Sequence, residues 1–297
     1  MIIETEDLTK KFRRHDAVEG VNLSVPEGAT CALVGSNGAG KTTTMRMLVD
    51  ILAPDRGTAR VLGIDSRQLK PQDRLRIGYL TENQTLPERL SVGQYLEYLR
   101  ALYPNWDHAL EKRLRAQFEL PTSRPLGKLS HGMRMKAMLI GALSFRPKLL
   151  ILDEPLSGLD PLVRDEVMAG ILDQAGETTI LISSHELTEI EGCTSHVAFM
   201  VRGRLMFHEP IDTLNARFRE VSVTLGQAPV IKGLPATWLN PQVDGLLLRF
   251  VDSAFAGDAT LQEQARALFG PLQHFATTPL SLREISKALM RATREEN

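Results

Sequence analysis

The chain has 297 residues, an apolar fraction of 43% and a formal net charge of −1. That length suits one large domain or a medium domain with a small one, and the apolar content excludes gross disorder. The near-neutral charge carries no footprint of a nucleic-acid binder, and the longest apolar runs, at 149–152 and 180–182, fall far short of the about 20 residues of a membrane-spanning helix.

The opening Met1-Ile2-Ile3-Glu4-Thr5-Glu6-Asp7 is acidic and lacks the basic start and apolar stretch of a secretory leader. Cys31 and Cys193 have neither a CxxC partner nor metal-ligand spacing, so both read as small core residues of a reducing compartment. Residues 1–26 read as a small β region, in which Val21, Leu23 and Val25 alternate before the turn Pro26-Glu27-Gly28. The basic run Lys10-Lys11-Phe12-Arg13-Arg14-His15 reads as a solvated surface segment. Phe12 within it is either a core side chain or a flat face on which a base can stack.

An apolar run, Cys31-Ala32-Leu33-Val34, leads into Gly35-Ser36-Asn37-Gly38-Ala39-Gly40-Lys41-Thr42. Thr43 follows, then Met45, Met47, Leu48, Ile51 and Leu52 at helical spacing. Strand, glycine-rich loop and helix start make the context of a phosphate-binding loop. Glycines let backbone N–H groups turn inward around phosphate oxygens, and the helix start adds a positive dipole end. Lys41 reaches the β- and γ-phosphates as a point charge, and the Thr42 hydroxyl suits a Mg²⁺ ligand. The competing reading is a glycine-rich turn that merely carries Lys-Thr; spacing and context argue against it.

Residues 58–64, with Val61 and Leu62 buried, and 76–80 read as strands, the second running out through Tyr79-Leu80-Thr81-Glu82-Asn83. A capping box of Ser91 and Gln94 opens an amphipathic helix carrying Tyr95, Leu96, Tyr98, Leu99, Leu102 and Tyr103, and Pro104 stops it. All four tyrosines and Trp106 fall in this region, either as anchors for a partner or as the core of the region itself. A second helix covers 107–118. After a loop, Leu129-Ser130-His131-Gly132-Met133 precedes a helix over 134–145, with Ser130 locally an N-cap.

The apolar run 149–152 reads as a buried parallel strand that delivers Asp153 and Glu154 at its C-terminal end. There Asp153 suits a Mg²⁺ contact and Glu154 a general base; the bland alternative is a pair of capping acids. Asp160 closes the turn Ser157-Gly158-Leu159-Asp160 before Pro161, the first residue of a helix. A strand at 178–183 delivers His185, which taken alone is a satisfied core histidine. Segments 197–200 and 204–207 pair around Arg202-Gly203. From about Arg217 the pattern restarts. Strands are expected at 221–225 and 245–251, with a Pro/Gly-containing connection to Pro241 between them. Thr260 with Glu263 caps a helix ended by Gly270-Pro271, and a strand follows at 274–278. Ser281 with Glu284 caps a last helix, with Leu282, Ile285 and Leu289 on one face.

Lys41, the polar break at Glu82, the LSxG motif of Ser130 and Gly132, the strand end Asp153-Glu154, Asp160 and the Ser-Ser-His that ends at His185 form one ordered set. In this order and spacing they resemble the nucleotide-binding subunit of ATP-binding-cassette (ABC) transporters, over about residues 1–215, and look most like the ATPase subunits of bacterial ABC-2-type exporters. The resemblance implies an α/β P-loop NTPase of the ABC ATPase type. A RecA-like core with an antiparallel β subdomain and a helical subdomain at about 84–146 would occupy 1–216, and a small α+β domain 217–297. It implies binding and hydrolysis of ATP with Mg²⁺ at two composite sites of a head-to-tail dimer. One subunit would supply Gly35, Ser36, Asn37, Gly38, Ala39, Gly40, Lys41, Thr42 and Thr43 around the phosphates and Phe12 against adenine. It would also supply Thr42, Glu82 and Asp153 toward Mg²⁺, Glu154 as the base and His185 beside the γ-phosphate. The second ATPase subunit, another copy of the chain, would supply Ser130 and Gly132, with Asp160 at the seam. A polytopic membrane permease would select the cargo and hold the ATPase at the cytoplasmic face of the cell membrane; no nucleic acid is expected as partner.

Several positions depart from the family's pattern. Glu82 stands where glutamine is usual, His131 and Met133 where glycine and glutamine are, Lys136 where arginine is, and Phe12 where tyrosine is commoner. A carboxylate at position 82 binds Mg²⁺ more strongly than an amide but adds negative charge near the phosphates. A soluble ABC-type ATPase acting on nucleic acid or ribosomes is the rival function. Its DNA-repair forms carry a long coiled coil between loop and signature, its ribosomal forms two cassettes, and this sequence has neither. A P-loop kinase would need neither the LSxG motif nor the Asp160 turn.

Overall fold

The computed structural model describes residues 1–13, 15–82, 84–185, 190, 192–229, 231 and 233–295. Arg14 of the basic run and Asn83 after Glu82 lie outside the described residues. The chain divides into two compact units, Met1–His185 with Gly192–His208, and Glu186–Glu191 with Glu209–Asn297.

The first unit opens with β1 (Ile3–Phe12), β2 (His15–Val21) and β3 (Ser24–Val25), followed by β4 (Thr30–Val34) and α1 (Lys41–Leu48). Next come β5 (Arg56–Val61) and β6 (Ile64–Asp65), which complete an antiparallel sheet in the order β2-β1-β5-β6, with β3 beside β1. Helix α1 stops short of the expected Leu52. Asp50 turns left-handed at φ 56°, and the N–H groups of Ile51 and Leu52 both donate back to the Arg46 carbonyl at 2.9 and 3.2 Å, leaving Ile51 exposed. The strand expected over 58–64 is instead a hairpin. Leu62 and Gly63 have φ of 56° and 77°, the two positive values of a two-residue turn that matches strand twist, so Leu62 is only half-buried.

Short α2 (Pro71–Arg74) and β7 (Ile77–Thr81) lead to the helices α3 (Val92–Leu102), α4 (His108–Gln117) and α5 (His131–Ser144). The Ser91–Gln94 capping box forms as read, at 2.9 and 3.3 Å. Helix α5 starts three residues earlier than the apolar pattern indicates, because the Ser130 hydroxyl accepts the Met133 N–H at 3.3 Å and so begins the helix at His131. Tyr95 and Trp106 are buried, whereas Tyr98 is exposed, so the aromatic stretch serves mainly as the region's own core.

That core is braced by Glu111, whose carboxylate accepts bonds from Arg100 and the Trp106 indole at 2.8 Å and from Arg115 at 3.3 Å. Burial pushes the Glu111 carboxyl up, but the bonds from Arg100, Trp106 and Arg115 outweigh it and hold it below the usual carboxylate range. A folded-state value below the unfolded one means stability present above the unfolded value and lost as pH falls through the folded one. Glu111→Gln is therefore expected to lower stability by about 1–3 kcal/mol at neutral pH and to flatten the acid loss. Urea melts of both proteins at neutral pH and in the carboxylate range measure this; coincident curves would show that the network adds nothing.

The central sheet uses β8 (Leu149–Asp153), β9 (Thr179–Ser184), β10 (His196–Val201) and β11 (Arg204–Pro210), with α6 (Pro161–Leu172) between β8 and β9. Its order is β11-β10-β4-β9-β8-β7, parallel from β10 through β7. Strands β4, β8 and β9 are buried along their whole length, as their continuous apolar runs require. Their carboxyl ends bring Gly35, Glu154 and His185 to one edge of the sheet. Cys31 is fully buried in β4, and desolvation pushes its thiol up to about 12, in keeping with a small core residue.

The second unit contains α7 (Ile211–Arg217), β12 (Arg219–Leu225), β13 (Trp238–Asp244), β14 (Leu247–Asp252), α8 (Asp258–Phe269), β15 (Leu272–Pro279) and α9 (Leu282–Glu295). Its sheet is antiparallel in the order β13-β14-β12-β15, and Val221, Val223, Trp238, Leu248, Phe250 and Leu261 form its core. Strand β13 occupies the stretch expected as a connection. It is an edge strand, and its register breaks between Leu239 and Gln242 with Asn240 at φ 50°, a bulge in which Pro241 needs no N–H partner. Helix α8 begins at Asp258 behind Gly257, so Thr260 lies inside it and the Thr260–Glu263 pair is not its cap. The Ser281–Glu284 pair does form, with Ser281 N–H and hydroxyl donating to Glu284 at 2.8 and 2.7 Å.

Candidate nucleotide site

The loop from Gly35 to Gly40 is pinned at both ends and open between them. Gly35 N–H donates to the Ser184 carbonyl at 3.3 Å, and Gly203 N–H to the Ala39 carbonyl at 3.0 Å; Ser36, Asn37 and Gly38 are exposed. Glycine is required where the backbone is crowded. A Cβ on Gly35 would lie 2.3 Å from the Met200 carbonyl oxygen, and one on Gly40, at φ 102°, would lie 2.4 Å from that of Ala17. Gly40 also caps α1, whose first turn holds Lys41, Thr42 and Thr43.

Lys41 is 5% exposed, and its ammonium donates to the carbonyls of Gly35 at 2.6 Å and Ser36 at 3.3 Å. It also lies 3.0 Å from Glu154 Oε1, so the buried ammonium and the carboxylate form an ion pair. The other Glu154 oxygen meets His185 Nδ1 at 2.9 Å. Burial raises the Glu154 carboxyl, but the bond to His185 and the Lys41 ammonium outweigh it and hold it ionised. The Thr42 hydroxyl donates to Asp153 Oδ1 at 3.0 Å, joining the start of α1 to the end of β8. Asp153 Oδ2 has no partner among the described residues. Five residues singled out by sequence thus converge directly: Lys41, Thr42, Asp153, Glu154 and His185.

Ser183 was not anticipated. It is 1% exposed on β9; its hydroxyl donates to Asp153 Oδ1 at 2.8 Å and accepts the Glu154 N–H at 2.9 Å. The signal was present in the sequence as a hydroxyl residue in the otherwise apolar run that leads to His185.

Glu82 follows β7 directly. Its N–H donates to the Asp153 carbonyl at 3.2 Å, while its carboxylate accepts from the Ser157 hydroxyl at 3.2 Å. The Ser157 carbonyl in turn lies 3.0 Å from His131 Nε2, linking the turn after β8 to the start of α5. Ser130 is exposed there, and Gly132 packs so closely on α6 that a Cβ would meet Val163 at 2.7 Å. Asp160 caps α6 by accepting the Val163 N–H at 3.1 Å. Lys136, deeper in α5, pairs with Glu166 of α6. Phe12 is 47% exposed, which excludes the core reading, and the Lys10 ammonium sits 5.8 Å from its ring centre.

The ABC transporter family model matches residues 18–157. The bacitracin transport ATP-binding protein BcrA of Bacillus licheniformis is 35% identical over 228 residues, which cover 74% of this chain and 73% of that protein. The chain belongs to the ABC transporter ATP-binding proteins. The daunorubicin resistance ATP-binding protein DrrA2 of Streptomyces coeruleorubidus is 34% identical over 71% of this chain and 68% of that protein. A solved ATP-binding subunit of an ABC transporter superposes with a TM-score of 0.66 at 28% identity, over 73% of this chain and 92% of that one. The dimeric post-hydrolysis cassette MJ0796, bound to ADP and Pi, shares the fold, with a TM-score of 0.62 at 20% identity over 70% of this chain and 98% of that one. This ABC ATPase is therefore a nucleotide-binding, ATP-hydrolysing motor subunit of a transporter, on the α/β P-loop fold expected from its motifs.

Proposed function

We propose that the chain drives an exporter of the ABC-2 type, working as a head-to-tail pair of copies beneath a polytopic permease at the cytoplasmic face of the membrane. The observation that carries the site's chemistry is the convergence of Lys41, Thr42, Asp153, Glu154 and His185 on one sheet edge. The Gly35–Gly40 loop and Lys41 hold the phosphates, and Phe12 offers its exposed ring to the base. Oxygen donors that include a carboxylate oxygen with no partner among the described residues fit a hard divalent cation, so Thr42, Asp153 and Glu82 would hold Mg²⁺. Bound there, the ion would neutralise charge on the phosphates.

Glu154 accepts a proton from the attacking water, while His185 meets one of its carboxylate oxygens and holds the group in place. The water oxygen bonds to the γ-phosphorus, and the bond from phosphorus to the ADP oxygen breaks. Ser130 and Gly132 of the second copy face that γ-phosphate across the seam, close to Asp160. The exposed Tyr98 and Leu102 on α3 support a docking face for a permease helix. The names of the relatives, which include bacitracin transport and daunorubicin resistance, support export.

The test is purification from detergent extracts of cells that express the tagged chain. A polytopic membrane protein is expected to co-purify with it, along with MgATP hydrolysis. Recovery on ribosomes or nucleic acid, with no membrane protein, would instead favour the soluble reading.

A further inference from the structure

We propose that Ser183 is a positioning residue for hydrolysis, whose hydroxyl sets the direction in which Glu154 presents its carboxylate. The proposal rests on reading Glu154 as the base. Strands β8 and β9 run parallel, with Leu152 beside Ile182, so Ser183 follows directly at the tip where β8 ends. The residues before it on β9, Ile180, Leu181 and Ile182, are buried and apolar. A hydroxyl buried in such a strand is unfavourable unless bonded, and Ser183 forms two bonds.

Their directions are dictated. The Glu154 N–H can only donate, so the serine oxygen accepts it at 2.9 Å and its one proton goes to Asp153 Oδ1 at 2.8 Å. Glu154 has a φ of 52°, in the left-handed region that a non-glycine residue occupies only when its surroundings hold it there. That turn directs its N–H to a side chain and its own carboxylate toward Lys41 at 3.0 Å and His185 at 2.9 Å. Without the hydroxyl, the Glu154 N–H loses the acceptor it meets in the left-handed turn. The same loss removes one of the two hydroxyls that donate to Asp153 Oδ1 among the described residues, leaving that of Thr42.

The test uses full-length Ser183→Ala, Ser183→Cys and Ser183→Thr, each also in a Glu154→Gln background. Cysteine keeps the volume but is a poor hydrogen-bond partner, and threonine keeps the hydroxyl. Alanine and cysteine are expected to lower kcat by about 100-fold, as a misdirected group does, with KM for MgATP and the affinity for a fluorescent ATP analogue within about twofold of wild type. Threonine should recover most of the rate. In the Glu154→Gln background, removing the hydroxyl should change the residual rate less than about threefold, because the group it aims is already disabled. If the alanine variant does not fold, the cysteine variant decides. Wild-type kcat in the folded cysteine variant, or an equal loss in both backgrounds, would overturn the positioning role. Wild-type turnover in Glu154→Gln alone would instead overturn the base assignment, a separate outcome.

Discussion

Glu154→Gln is expected to lower ATP turnover by about 10²–10⁴-fold while leaving MgATP binding intact. The amide keeps the size and shape of the carboxylate, and its oxygen can still meet His185, but it cannot take the water's proton. The Lys41 ammonium would then face a neutral group at the position where Glu154 Oε1 now lies 3.0 Å away, which favours an incoming phosphate over the internal pair. If the γ-phosphate bridges two copies as proposed, blocking hydrolysis preserves that bridge, and the closed dimer should accumulate. Size-exclusion chromatography with light scattering, with and without MgATP, reads this directly. Adding Ser130→Arg places a bulky side chain at an exposed helix start and should return the protein to monomer. Wild-type hydrolysis by Glu154→Gln would remove Glu154 from the mechanism.

Lys41→Ala should abolish turnover and weaken ATP binding by about 10–100-fold, the range that one or two charge-assisted bonds contribute. The ammonium is the buried cation directly beside the Gly35 and Ser36 carbonyls and Glu154 Oε1. Its loss takes the positive charge from the phosphate path and one stabilising neighbour from the Glu154 carboxylate. The melting temperature should fall, because truncating one partner of this buried pair leaves the Glu154 carboxylate less compensated, with His185 still beside it. Calorimetric titration with ATP and a steady-state assay on the same folded sample measure both effects. Undiminished ATP affinity would mean that the phosphates do not rest on Lys41.

Much of the second unit was legible because local chemistry governs it. The Ser281–Glu284 box and the alternation of Val221, Val223 and Leu225 are contacts or periodicities within a few residues. Its errors are also local, but of a kind that composition disguises. Pro241 reads as a breaker, yet at a bulge in an edge strand its missing N–H is no loss. Thr260 and Glu263 have capping chemistry, but Gly257 releases the chain into the helix first. In the first unit, a left-handed Asp50 ended α1 while the apolar spacing continued past it.

The order of amino acids alone determined the phosphate loop, the Asp153-Glu154 strand end, the Ser130 cap, the Asp160 turn and the family to which they belong. Each is encoded within about ten residues, where backbone geometry follows directly from side-chain type. Tertiary structure decided what those pieces meet: Thr42 reaches Asp153 across 111 residues, Ser183 reaches Asp153 across 30, and Glu82 reaches Ser157 across 75. It also decided that Phe12 faces outward and that Lys41 rests against Glu154. Side-chain type limits which groups can donate or accept, but only the packing of β4, β8 and β9 sets which donor stands within 3 Å of which acceptor.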